Sequence, residues 1–244
     1  VNAQVVISRV FPGSAGIIVI VLAAVFVCTA AKYASYSHGT YDFGIFTQMF
    51  EQMAKTGLPN TTVEREGIVS HFAVHFSPVF YLILPGYYLF RSPLYLLLIQ
   101  AVVTGAGVFP VRRICRTLGL SEKISLAMGV AYLLFPTMAN GTFCDFHENK
   151  FLTVFLLYLV WFVLENKRAG TVVFSLLTLS VKEDAFIYVL AVAMWAFFDK
   201  KSKTDKILYA CLAVVSVGYF LLACQLIKLC GGEIMTGRFA NLSP

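Results

Sequence analysis

The feature that most constrains this chain is a succession of long apolar runs with almost no charge inside them. They lie at roughly 14–31, 93–111, 124–143, 150–164, 170–181, 185–198 and 206–229. A bilayer core about 30 Å thick takes about 20 apolar residues per helical crossing, and a helix satisfies its own backbone groups in lipid. Seven runs joined by short connections therefore predict an all-α polytopic membrane bundle, one transmembrane domain over 1–244. Composition agrees: 13% of residues are charged and 59% hydrophobic, whereas a soluble domain carries roughly 25% charged residues. The net charge of +6 would suit nucleic acid, but in a membrane protein a basic excess belongs to cytoplasmic loops. Membrane lipid, and no nucleic acid, is the expected partner.

One further run, 76–90, is broken by Pro78, Pro85 and Gly86, and whether it crosses decides the topology. Arg112, Arg113, Arg116 and Lys123, then Lys167 and Arg168, then Lys200, Lys201, Lys203 and Lys206 mark three basic connections. Placed on the cytoplasmic side with Arg9, they require 76–90 not to cross but to lie outside, within an outer loop of juxtamembrane helices over about 32–92. Unsatisfied backbone groups in lipid cost several kcal/mol, so a short Pro-broken run fits that role. The inner segments then hold 11 Lys/Arg and 4 Asp/Glu, the outer ones 8 and 9, and His38, His71, His75 and His147 all fall outside.

The pair 170–181 and 185–198 is short for two crossings. A single helix through 170–198 would put the Lys-rich 199–206 segment outside, so two short spans are expected, with Lys182-Glu183-Asp184 dipping toward membrane depth. Ionisable groups there face a cavity or a partner. The six cysteines form no CxxC pair and read as small core residues. The chain starts without Met and stops at Pro244, which suggests a piece of something longer.

The polar residues gather in four places. Apolar positions 43, 46, 49, 50 and 53 have helical spacing and predict an amphipathic helix on the outer interface, with Asp42 at its start. An Asp there caps free backbone N–H groups or serves as a base or cation ligand. His71 and His75, four apart, share a helical face. Two roles stay open for them: binding a metal, though without the intervening Glu of the zinc-protease signature, or hydrogen bonding to substrate and loop backbone. Where the chain takes a cofactor, a divalent cation such as Mg or Mn is expected. Asp145, His147 and Glu148 follow the third span, with Lys150 opening the fourth. Lys182, Glu183 and Asp184 form the last cluster on the same side, and Arg238 adds a cation that could hold phosphate.

Tyr41-Asp42-Phe43-Gly44-Ile45-Phe46, His75-Phe76-Ser77-Pro78, Asp145-Phe146-His147-Glu148 and Lys182-Glu183-Asp184-Ala185 occur in this order with apolar spacers. From about residue 33 onward this pattern resembles the prokaryotic membrane-protein family called domain of unknown function 2079. That family in turn looks like a branch of the GT-C-type membrane glycosyltransferases, which take a sugar from a polyprenyl-phosphate donor on the outer face of the plasma membrane. The resemblance implies Asp42 as catalytic base, Asp145 as the second acidic residue, and a His75–Pro78 element in which Phe76-Ser77 departs from the family's His-Pro-Pro. It supports 76–90 lying outside.

Two functions follow as expectations. In the first the chain is a glycosyltransferase, with Asp42, Asp145 and Glu183 as catalytic carboxylates. His75, His147, Glu148, Lys182, Asp184 and Arg238 would then hold substrate. In the second it is a transporter or lipid-binding scaffold in which Lys182-Glu183-Asp184 relays protons or ions. The gathering of polar groups on one side, rather than at the midplane, favours the first.

Overall fold

Helices form where the apolar runs predict them. The computed structural model describes residues 15–37, 40–64, 67–135 and 145–233. Its helices are α1 (Ala15–Ala34), α2 (Thr40–Thr56), α3 (Phe80–Leu89), α4 (Pro93–Ala106), α5 (Val108–Thr117), α6 (Glu122–Leu134), α7 (Asn149–Leu164), α8 (Arg168–Leu179), α9 (Phe186–Asp199) and α10 (Lys203–Leu229). Strand pairing among the described residues is one antiparallel rung pair, β1 (Asn60–Thr61) with β2 (Val69–Ser70), Asn60 opposite Ser70.

Length sorts the helices. α10 has 27 residues and α4 with α5 covers 25, about 40 and 37 Å at 1.5 Å per residue. Both are long and apolar enough to cross a bilayer core of about 30 Å. α7, α8 and α9 have 16, 12 and 14 residues, so among the described residues two helices combine the length and apolarity of a crossing, where the sequence predicts seven crossings. α10 leaves Val214, Leu221 and Leu222 exposed along its outer surface, an apolar face of the kind that meets lipid.

Two junctions have identifiable causes. At Gly107, between α4 and α5, the Tyr132 phenol fills the place a Cβ would take and donates to the Thr104 carbonyl at 2.9 Å. The 170–198 stretch does not run through as one helix, because Lys182 is extended (φ −165°, ψ 158°) before a one-turn 3-10 helix at Glu183–Ala185. Two helices, α8 and α9, result, as expected.

The three basic connections meet at one end of the bundle. Thr117 donates to Glu165, Arg168 pairs with Asp205 at 2.7 Å, and Arg113 lies over the rings of Phe109 and Trp161. Across the α5–α6 turn, Arg112 and Arg116 both bind Glu122. The histidine-bearing segments lie at the other end, described below.

α2 departs from expectation. Its stripe of Phe43, Phe46, Met49, Phe50 and Met53 is not spread on a membrane interface but buried inside the protein. It packs against Phe80, Ile83, Leu84 and Tyr87 of α3, Leu96 and Leu97 of α4, and Phe146 and Phe151. Burying five such side chains contributes on the order of 10 kcal/mol of gross transfer free energy, available because α3, which runs on through Pro85, offers an apolar surface beside it. A second core joins α7, α8, α9 and α10 through Leu159, Val163, Leu179, Val189, Ala193 and Leu212. The cysteines divide likewise. Cys115 and Cys224 are buried, but Cys28, Cys211 and Cys230 are exposed on helix surfaces, and all five thiols are free. Cys144 lies outside the described residues.

Candidate functional site

The site is assembled by three tethers. Gln48 of α2 holds the loop after it: its carbonyl accepts from the Thr61 hydroxyl and the Thr62 N–H, both at 2.8 Å. The β1–β2 pairing and a His71 N–H bond to the Pro59 carbonyl (2.7 Å) then turn the chain into a 3-10 helix at His71–Ala73. Residues 75–79 dock on the α8–α9 corner. There Phe76 N–H donates to Glu183 Oε2 (3.0 Å) and Val79 N–H to the Ser180 carbonyl (2.8 Å). The third tether is Gln100, fully buried in α4, whose amide donates to the Asp145 carbonyl (3.4 Å) and accepts from the His147 N–H (2.9 Å).

These tethers bring three imidazoles together, each with Nδ1 against a carboxylate. His71 meets Glu64 at 3.0 Å, His75 meets Glu183 at 2.9 Å, and His147 meets Glu148 at 3.0 Å. The His71 and His75 ring centroids are 6.1 Å apart, and the Phe46 ring lies 5.6 Å from both His71 and His147. Lys182 Nζ stands 3.9 Å from Glu148 Oε1. Hence His75, His147, Glu148, Lys182 and Glu183 share one locus, and His71 joins them.

Glu148 is its most constrained member, with no exposed surface. Burial pushes its carboxyl up, but His147, His71 and Lys182 outweigh burial and hold it down at about 2. A carboxylate so placed is ionised at neutral pH, yet neither oxygen receives a hydrogen bond of good geometry. Glu183 behaves alike: burial raises it, and His75 with the Phe76 N–H outweighs burial, so its carboxyl is lowered.

Glu148 is not alone in having buried polar atoms without a well-aligned hydrogen bond. Thr47 Oγ, His71 Nε2, Ser77 Oγ and the Tyr219 hydroxyl are also buried without a hydrogen bond. Tyr219 lies close enough to Glu183 to interact with it electrostatically, and its ring sits 6.1 Å from Phe76. An unpaired buried polar group costs about 1–3 kcal/mol, so His71 Nε2, Ser77 Oγ and the Tyr219 hydroxyl, which lie beside the histidine–carboxylate pairs, leave bonding capacity there that a polar ligand or ordered water would use. The end of α10 closes this region. Gly231 takes φ +83°, and Gly232 lies so near Ala73 that a Cβ would overlap its carbonyl.

Other expected site residues sit at the margin. Asp42 is exposed on the first turn of α2, about 6 Å of helix rise before Phe46. Asp145 is half-buried, its backbone fixed by Gln100, and Asp184 is exposed at the rim. Arg238 and His38 lie outside the described residues. Among the described residues no three His, Cys, Asp or Glu side chains converge as a metal site. Glu64, Gln100, Thr47, Ser77 and Tyr219 were not foreseen. Gln100 had a signal, as the lone amide in the apolar 93–111 run, Ser77 stood inside the His75–Pro78 motif without a role, and Glu64, Thr47 and Tyr219 had none.

A family model described as "Predicted membrane protein (DUF2079)" matches residues 32–243. No curated protein and no solved structure matches.

Proposed function

We propose that this chain, which belongs to the DUF2079 family of predicted membrane proteins, transfers a sugar from a polyprenyl-phosphate carrier at the histidine end of its bundle. In this reading the basic turns face the cytoplasm, seven segments cross with α3 outside, and the histidine end opens extracytoplasmically in a GT-C-like arrangement. The observation that carries it is Glu148: a fully buried, ionised carboxylate paired with His147 at 3.0 Å and Lys182 at 3.9 Å, whose oxygens still lack a donor of good geometry. Sugar hydroxyls are donors that such a carboxylate lacks. Lys182, partly exposed, is a cation for the departing lipid phosphate, whose developing charge is the main thing a transfer site must stabilise. Ile187 and Tyr188, exposed just beyond Glu183, offer apolar surface for the polyprenyl chain. Asp42 and Asp145 bring further carboxylates to the same end, toward solvent, where an acceptor would enter.

The experiment is transfer from labelled polyprenyl-phosphate sugars by the purified chain in lipid nanodiscs, with Glu148→Gln and Asp42→Asn beside the wild type. Loss in Glu148→Gln supports the assignment, and equal transfer by both proteins removes the residue from it. No transfer from any donor, together with proton-coupled flux in proteoliposomes that Glu183→Gln abolishes, would replace the reading with transport.

A further inference from the structure

Of the three imidazoles at the site, two are unsuited to taking a proton from a substrate. His71 is 3% exposed, so its ring is closed off behind Phe46 and Phe80. His147 is the most exposed, at 35%, but its Nδ1 is contested. It faces Glu148 at 3.0 Å and also accepts the Asn149 N–H at 3.4 Å. A nitrogen that accepts has no proton to give the carboxylate, so its tautomer is not fixed.

His75 differs on both counts. Its side chain is 14% exposed, enough for one edge to be reached. Its Nδ1 meets Glu183 Oε1 at 2.9 Å, and the other Glu183 oxygen is held by the Phe76 N–H at 3.0 Å. An ionised carboxylate only accepts, so the proton of a neutral His75 sits on Nδ1 and the lone pair on Nε2. A carboxylate that fixes the ring and stabilises the imidazolium is the arrangement that turns a histidine into a general base.

We infer that His75 is the proton acceptor of the transfer step, with Glu183 as its positioning residue; this rests on the glycosyl-transfer reading above. The acceptor hydroxyl gives its proton to His75 Nε2 while its oxygen bonds the anomeric carbon. The bond from that carbon to the phosphate oxygen breaks, and the electron pair leaves with the lipid phosphate. The imidazolium, opposite Glu183, then returns its proton to water. Among the described residues the charged and titratable groups around the ring are Glu183, Lys182 and Asp184 on the α8–α9 corner, His71 at 6.1 Å, Tyr219 and Cys224 of α10, and Glu148 beyond Lys182. Asp42 is left to orient the acceptor.

The test is kcat and KM against pH for the wild type, His75→Gln, Glu183→Gln and Asp42→Asn, with nitrogen NMR of the four histidines. Imidazoles titrate near 6.5 and carboxylates near 4 in general, so the acid limb of the profile tells the two kinds of acceptor apart. His75→Gln should lower kcat by about 10²–10⁴-fold, the usual range for a lost general base, and abolish the limb. Glu183→Gln should move the limb to lower pH and lower kcat with little change in KM, and Asp42→Asn should keep the limb. NMR should show His75 protonated at Nδ1 in the wild type and not in Glu183→Gln. An Nε2-protonated His75, or a His75→Gln variant with wild-type kcat and limb, overturns the inference while leaving the transfer reading standing. A wild type that transfers nothing overturns both, whatever the tautomer.

Discussion

Replacing Lys182 by Met removes the permanent cation that stands 3.9 Å from Glu148. At an effective dielectric constant of about 20, unit charges 3.9 Å apart attract by about 4 kcal/mol. Removing one partner of a buried pair typically costs about 3–5 kcal/mol, because the other charge stays buried. His147 and His71 still face Glu148, so the low end, about 3 kcal/mol, is expected. For a chain of this size that is roughly 6–12 °C in Tm. The pH dependence fixes the cause. The Glu148 pKa is depressed in the folded state from 4.5 to about 2, so its stabilisation is complete above about 4.5 and lost as pH falls toward 2. Lys182→Met weakens the depression, so its deficit is largest at neutral pH and shrinks on acidification. Adding Glu148→Gln removes the stranded charge and should recover about 1–3 kcal/mol. Thermal unfolding in mild detergent can be read by a thiol-reactive dye at buried Cys115 and Cys224, with the other cysteines replaced by serine. A single variant as stable as the wild type, or a double variant no better than the single, refutes a buried ionised Glu148 held by Lys182.

Gly232→Ala should cost at least 1–3 kcal/mol, the usual range for overpacking, because the new Cβ meets the backbone carbonyl of Ala73. An unchanged Tm means that the end of α10 does not dock on the histidine loop. Tyr219→Phe should leave stability within about 0.5 kcal/mol of wild type, since the buried hydroxyl has no partner to lose. A loss above 1 kcal/mol by the same dye assay would reveal one. Cysteines placed at exposed Tyr36 and Lys201, on a background without native cysteines, should be labelled from opposite faces of intact cells by an impermeant maleimide. Labelling from the same face overturns the topology in which α3 stays outside.

Helix positions were legible because each apolar run is bounded by charge or by helix-breaking residues. Pro85 inside α3 and the three basic turns are local facts, and they sufficed to separate the two ends of the bundle. What local spacing cannot supply is the partner of a face. The stripe at 43, 46, 49, 50 and 53 announced an amphipathic helix equally suited to lipid or protein, and only the fold shows α3, Phe146 and Phe151 covering it. The site divides the same way. His75 and Glu183 were each conspicuous as polar groups beside apolar runs, but their bond joins positions 108 residues apart. Glu64 pairs with His71 only because the β1–β2 pairing folds the loop back. Tyr219, one of the two phenols in the long apolar α10, carries no mark in the sequence, and the fold buries its hydroxyl near Glu183.

The two ends of the bundle carry similar kinds of residue and solve opposite problems. At the basic end every carboxylate meets a group of fixed state. Glu122 binds two guanidiniums, Asp205 binds Arg168, and Glu165 accepts from Thr117 with Lys167 nearby. Those contacts are partly exposed, so each adds little to stability, and they serve to hold helix ends together at any physiological pH. The polar atoms left over there include the donors Arg113 Nε and Trp161 Nε1, where the Arg113 guanidinium lies over the Phe109 ring and the Phe109 and Trp161 rings meet edge to face. At the histidine end the carboxylates face imidazoles, side chains able to give or take a proton, and the leftovers include Glu148, whose ion pairs leave both oxygens without a well-aligned donor. A purely structural clamp gains nothing from titratable partners and loses free energy for each unsatisfied atom. Retaining both at one locus is intelligible when protons and a donor-rich ligand come and go there, which is why the histidine end, and not the more heavily charged basic end, is the place to look for chemistry.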